Sequence, residues 1–172
     1  MGTEVALLIF WLDRIKRHRV VDDFVNLMDL APTFLEAAGV EIPKVMTGKS
    51  LMPVIESEKE GLVDPTRTWV MTGWERHVAT ARENNLPFPQ RSIRTKNFPS
   101  IRSFKPERWP VGTAETGLRD IDGGPTKEYY YQNYGDEDFN YYWNLAFGKR
   151  PYEELYDVNT DPDELINLAD NP

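Results

Sequence analysis

The chain has 172 residues, 40% hydrophobic and 12% aromatic, enough to bury a core and too apolar for a disordered segment. A net charge of −8 argues against a nucleic-acid or anionic-membrane partner. There is no cysteine, which removes disulfides, thiolate metal sites and a cysteine nucleophile and leaves the redox compartment open.

Residues 5–12, VALLIFWL, form an apolar run too short to span a bilayer. Glu4 precedes it and Asp13-Arg14 follows it, which does not fit a signal peptide, and Ala6 breaks the myristoylation pattern. A buried strand is predicted. The pair Asp22-Asp23 has the chemistry for a hard divalent cation, but its place in a polar run predicts a solvated turn.

A short helix follows. Asp29 is its expected N-cap, Pro32 lies in its first turn, and Gly39 is its stop. Leu30, Ala31, Phe34, Leu35, Ala37 and Ala38 recur at helical spacing, with Thr33 and Glu36 on the wet side. Residues 56–64 are charged, contain Gly61 and read as a surface loop.

Residues 68–73, TWVMTG, predict a strand that Gly73 stops with a sharp turn. Glu75, Arg76 and His77 come directly after it, where a scaffold can present polar groups. His77 is one of only two histidines, and a surface or core-edge histidine without a task is the plain alternative. Residues 79–90 predict a long covering loop. Residues 91–95 and 98–104 predict a hairpin turning at Lys96-Asn97, with Pro99 at an edge or a strand start. Arg91 and Arg94, three apart on a strand, face opposite sides. One of them could offer a bidentate guanidinium to a sulfate or carboxylate, and structural salt bridges are the alternative.

Residues 105–110, KPERWP, predict a rigid turn with a buried indole, followed by a loop over 112–124. Helices are predicted from Pro125 to about Tyr134 and over 137–146, the second with Phe139, Tyr142, Trp143 and Ala146 as a core stripe rather than a sugar platform. A last strand, an Asp161-Pro162 turn and a capped turn of helix close the chain.

Several of these stretches share their wording with one family. They are Asp29-Leu30-Ala31-Pro32-Thr33, Ala38-Gly39-Val40, Gly48-Lys49-Ser50-Leu51 with Pro53, Glu75-Arg76-His77, and Arg91, Ile93, Arg94, Thr95, Lys96, Phe98, Ile101 and Arg102 around the hairpin. Pro106-Glu107-Arg108-Trp109-Pro110, Glu154-Leu155-Tyr156-Asp157, Asp161-Pro162 and Asn167-Leu168-Ala169 continue the series. The chain resembles the late part of the formylglycine-dependent sulfatases of the alkaline-phosphatase-like superfamily, most closely the sulfamidase or heparan N-sulfatase branch. The likeness is weak before Val20, where Trp11-Leu12-Asp13 and Arg17-His18-Arg19 replace the family's proline-glycine turns.

The resemblance implies an α+β fold: a small antiparallel sheet of about four strands with helices packed on one face. The last strand and helix of a truncated α/β domain would precede it. Residues 1–52 would be the remnant of a catalytic domain with its linking helix, and residues 53–172 the C-terminal subdomain. It implies hydrolysis of sulfate esters or N-sulfates of glycans, with Glu75, Arg76, His77, Arg91 and Arg94 bordering the substrate and no catalytic or metal residue in this chain. Formylglycine, made from the Cys of a Cys-x-Pro-x-Arg run, and calcium or magnesium would belong to a full-length parent. The chain alone is then expected to be inactive. The expected partners are a sulfated glycan, no nucleic acid, no membrane span, and self-association through the face left by a missing domain. The parent would be secreted, periplasmic or lysosomal. The alternative is a non-catalytic glycan-binding or protein-interaction module, with Trp74, Trp109 and residues 75–77 as its contacts.

Overall fold

The computed structural model describes residues 5–170. Glu4, expected to flank the first strand, and the last two residues of the expected 53–172 subdomain lie outside the described residues. The fold is α+β. It divides into two compact units, one up to Val70 and one from Met71.

The first unit holds helices α1 (Leu30–Ala37) and α2 (Met52–Glu56). Its core is Leu51, Met52 and Ile55, with Trp11, Ile15, Val25 and Leu30 packed against it. The predicted strand over residues 5–12 does not form. Residues 5–10 are exposed, and only Trp11 reaches the core before the chain turns, with Ile15 N donating to Trp11 O at 2.8 Å. A lone apolar run has no ladder partner, and strand geometry is stable only beside another strand.

Asp29 does not cap α1. Asn26 instead caps a 3-10 turn, Leu27–Asp29, that leads into the helix. The buried Asp29 carboxylate accepts from Lys49 N (2.8 Å), Asn26 N (3.1 Å) and Arg67 Nη1 (2.8 Å). Thr33 is not on the wet side but buried. Its hydroxyl donates to Asp29 O and accepts from Leu51 N (2.8 Å), so the polar atom is satisfied inside. Phe34, expected in the core, is 67% exposed. Gly39 ends the helix as expected, at φ +69°.

Asp23 is neither a metal ligand nor a solvated turn residue. It is buried, and its two oxygens accept from Val63 N (2.7 Å) and Asp64 N (2.6 Å). The basic run after Trp11 lies along the acidic one after α2. Arg14 pairs with Glu56 (2.7 Å), Lys16 with Glu58 (3.4 Å) and Arg17 with Glu60 (3.3 Å). Arg19 donates to Val54 O and Ile55 O (both 2.7 Å), capping the last turn of α2.

The sheet has the order β1-β2-β3-β4, with β1 Trp69–Trp74, β2 Gln90–Thr95, β3 Pro99–Ser103 and β4 Glu153–Leu155. β2 and β3 are the predicted hairpin, antiparallel, with Arg91 opposite Arg102 and Arg94 opposite Pro99. Pro99 opens β3, where the missing donor is harmless, and its carbonyl accepts from Tyr156 N (3.1 Å). β4 pairs antiparallel with β3. The terminal turn of helix does not form; residues 165–169 lie beside β4. There Asn167 Oδ1 accepts from Leu155 N (2.9 Å), Asn167 Nδ2 donates to Glu153 O (3.1 Å), and Leu168 N donates to Leu155 O (2.7 Å).

Helices α3 (Pro125–Gln132) and α4 (Asn140–Phe147) build a second core with the loop before them, from Ala114, Leu118, Trp143 and Phe147. The stripe on α4 differs from expectation. Trp143 and Phe147, one turn apart, face inward, while Tyr142 and Ala146 are outside. A 3-10 turn, Glu137–Phe139, precedes α4 and resets its phase. Trp109 is not buried but 37% exposed, with Lys149 Nζ 5.4 Å from its ring centre.

Candidate functional site

The site lies at the end of β1, within the second unit. Gly73 does not turn the chain; it continues the strand to Trp74. What it supplies is room, since a Cβ there would touch Arg91 Cδ at 3.4 Å. Glu75, Arg76 and His77 follow, all exposed. The His77 ring stacks on Trp74, with centroids 6.4 Å apart and planes at 26°. His77 Nε2 is 3.4 Å from Asp122 Oδ1.

The backbone of this loop is held from beneath. Asp120 is 0% exposed, and its Oδ1 accepts from His77 N (2.8 Å) and Val78 N (2.7 Å). Its Oδ2 accepts from Arg82 Nη2 at 2.6 Å, and the Arg82 side chain is 7% exposed. Arg82 Nε also donates to Trp109 O (2.6 Å), its Nη2 donates to Pro110 O, and its guanidinium lies over Phe88. A buried charge pair of this kind persists only where further hydrogen bonds serve the remaining donors and acceptors, as they do here. Gly112 permits the close approach, because a Cβ at its φ of +90° would meet Ala81 O at 2.7 Å.

The covering loop over 79–90 is anchored rather than free. Ala81 and Phe88 are buried, and Phe88 N donates to Glu75 O at 2.7 Å. The structure brings Glu75 and Arg91 together as an ion pair, with Arg91 Nη1 also donating to Gln90 O (2.8 Å). Arg76 Nη1 donates to Asn85 O (2.8 Å). Arg94 joins none of these; it pairs with Glu164 at 3.2 Å. Both strand arginines thus have carboxylate partners. Beside Arg91, the exposed sheet face forms a shallow depression with Met71, Ile93, Arg102 and Leu155. Its two arginines have carboxylate partners, Arg91 in Glu75 and Arg102 in Glu153 at 3.8 Å, and Arg102 Nε also donates to the Tyr152 hydroxyl at 3.1 Å.

Sequence reasoning missed Asp120 and Arg82. Both stand in loops without periodicity, so no sequence signal pointed to them.

The residues of this chain do not fit a formylglycine or a divalent cation. Cysteine is absent and no serine stands in a Ser-x-Pro-x-Arg run. Among the described residues no three His, Asp or Glu side chains cluster to hold a metal, and both oxygens of Asp23 are already bonded to backbone N–H groups. Among the described residues no helix is long and apolar enough to cross a membrane.

Four strands in the order β1-β2-β3-β4, a polar loop at the end of β1 and a tail fastened to β4 define the sheet unit of an α+β fold. Residues 2–110 match the family described as N-sulphoglucosamine sulphohydrolase, C-terminal, and the chain belongs to this family, the C-terminal portion of sulfatases. An ulvan-active sulfatase of Formosa agariphila is 29% identical over 175 residues, covering 100% of this chain and 30% of that protein. Human N-sulphoglucosamine sulphohydrolase is 26% identical, over 99% of this chain and 33% of its own length. Arylsulfatase K of Xenopus laevis is 36% identical, over 98% and 23%. The chain therefore spans a quarter to a third of the length of these relatives. A solved structure in complex with its substrate D-glucosamine-2-N,6-O-disulfate is similar at a TM-score of 0.44 and 24% identity, over 81% of this chain and 19% of that one.

Proposed function

We propose that this chain is the substrate-side wall of a sulfatase, and that the loop ending β1 presents Arg76 and His77 to a sulfated glycan. The observation that carries this is the exposed His77 stacked on the half-buried Trp74 and held on the buried Asp120, in a chain of the sulfatase family. The curated relatives are described as acting on ulvan or N-sulphoglucosamine, which supports a sulfated polysaccharide as the substrate class. An indole and an imidazole side by side offer an apolar face to a sugar ring, and the imidazole N–H and the Arg76 guanidinium offer donors to its sulfate. Glu75 acts through Arg91, whose guanidinium it holds. Arg91 and Arg94 meet a sulfate only by releasing Glu75 and Glu164, so they are auxiliary contacts.

The nucleophile, formylglycine, and the calcium or magnesium ion come from the rest of a full-length sulfatase, in a secreted, periplasmic or lysosomal setting. The 172-residue chain by itself hydrolyses neither an aryl sulfate nor N-sulfoglucosamine.

Calorimetric titration of the chain with an N-sulfated heparin disaccharide tests the binding. The sulfated form should bind and its desulfated counterpart should not. His77→Ala should weaken the affinity about tenfold, the size of one charge-assisted hydrogen bond. Equal binding of the two sugars, or an affinity that ignores His77, would overturn the assignment.

A further inference from the structure

We propose that Asp120 and Arg82 are positioning residues for His77. A single buried carboxylate, far away in sequence, sets the backbone at His77–Val78, and the guanidinium of Arg82 makes its burial possible. Which face His77 presents to a ligand is then decided by Asp120, although Asp120 never reaches solvent. This rests on the binding role proposed above for the β1-end loop and goes beyond it.

The geometry leaves little freedom. One oxygen of Asp120 serves two consecutive amides, His77 N at 2.8 Å and Val78 N at 2.7 Å, a small anion nest with the anion supplied by the chain itself. With both amides fixed, the peptide planes on either side of His77 are fixed, and the side chain leaves the backbone toward Trp74. The other oxygen takes Arg82, whose Nε also donates to Trp109 O and whose Nη2 also donates to Pro110 O. Asp120 is itself held, its N–H donating to Val111 O at 3.1 Å. The loop at 75–78 and the turn at 109–111 are thus tied to one charge pair. An asparagine at 120 has a single acceptor oxygen and cannot serve both the loop amides and Arg82. A lysine at 82 keeps the charge and loses the planar fork that reaches three acceptors at once.

The test uses nuclear magnetic resonance on the full chain, which has only two histidines, so the His77 ring is readily assigned. In the wild type the His77 ring should show contacts to the Trp74 indole. The His77 and Val78 amides should exchange with solvent at least about a hundredfold more slowly than in an unstructured peptide. Asp120→Asn and Arg82→Lys should each abolish the ring contacts and weaken binding of the N-sulfated disaccharide about tenfold, no further than His77→Ala does, with no added loss in the double variants. Fast exchange of both wild-type amides, which requires no variant to fold, would overturn the proposal. So would unchanged Trp74–His77 contacts in a folded variant. Slow exchange and lost ring contacts without any disaccharide binding in the wild type would retain the positioning role and sink the glycan assignment.

Discussion

At the scale of single residues, the first unit depends on one charge pair. Arg67 and Asp29 are both nearly excluded from solvent, and Arg67 Nη2 also reaches Lys49 O (2.9 Å) and Ser50 O (3.1 Å). This joins the start of α1, the segment leading to α2 and the approach to β1 through one guanidinium. Removing Asp29 takes the nearest carboxylate from the buried Arg67, leaving only Asp64 at 3.5 Å, and leaves two backbone N–H groups without their acceptor. Asp29→Ala should therefore cost about 3–5 kcal/mol in chemical unfolding, against less than about 1 kcal/mol for the exposed Lys16→Ala. Similar midpoints for the two variants would show that the pair is dispensable. The sequence could not announce Arg67. A carboxylate before a helix is ordinarily a cap, and the residue that claims this one stands 38 positions later.

At the scale of elements, what was legible was local. The hairpin of β2 and β3, the start of β3 at Pro99 and the stop at Gly39 each follow from turn chemistry a few residues long. The α1 stripe misled because it assumed that apolar residues turn inward. Thr33 is buried instead, since its hydroxyl finds two backbone partners, and Phe34 is left outside. Around the candidate site, the place of Glu75, Arg76 and His77 just after a strand was legible; the support of that loop was not, because Asp120 and Arg82 sit in loops without periodicity. The tail beside β4 was expected as helix, yet Asn167 works as a stand-in strand residue, giving an acceptor and a donor to the edge. Asn167→Ala should unpair Leu155 N and Glu153 O and destabilise the unit by about 1–3 kcal/mol. Amide exchange should quicken at Leu155 and stay unchanged in β2; uniform change across the sheet would mean that Asn167 acts on global stability alone.

At the scale of the whole molecule, the described chain carries exposed apolar side chains of the kind that mark an interaction surface. Leu8 is 89% and Phe10 80% exposed, with Val5 and Leu12 beside them in the sequence. Self-association through residues 5–12 is the expected outcome in isolation. Sedimentation should show concentration-dependent dimers or larger species, and Leu8→Lys with Phe10→Glu should return the chain to monomer. A clean monomer at high concentration in the unmodified chain would count against this surface.

The clasp between residues 14–17 and 56–60 has a different consequence. Its three rungs are half to four-fifths open to water, so each contributes little and each is screened by added salt. Neither Leu51 nor Met52 nor the Arg67–Asp29 pair shares that weakness, being shielded from the ions. Ionic strength should therefore act on this unit as a selective key. Trypsin should cut after Arg14, Lys16 and Arg17 faster at high salt than at low salt, while cleavage after the exposed Lys44 should not change with salt. One physical variable, the concentration of salt around the protein, would then decide whether its basic strap is fastened or loose.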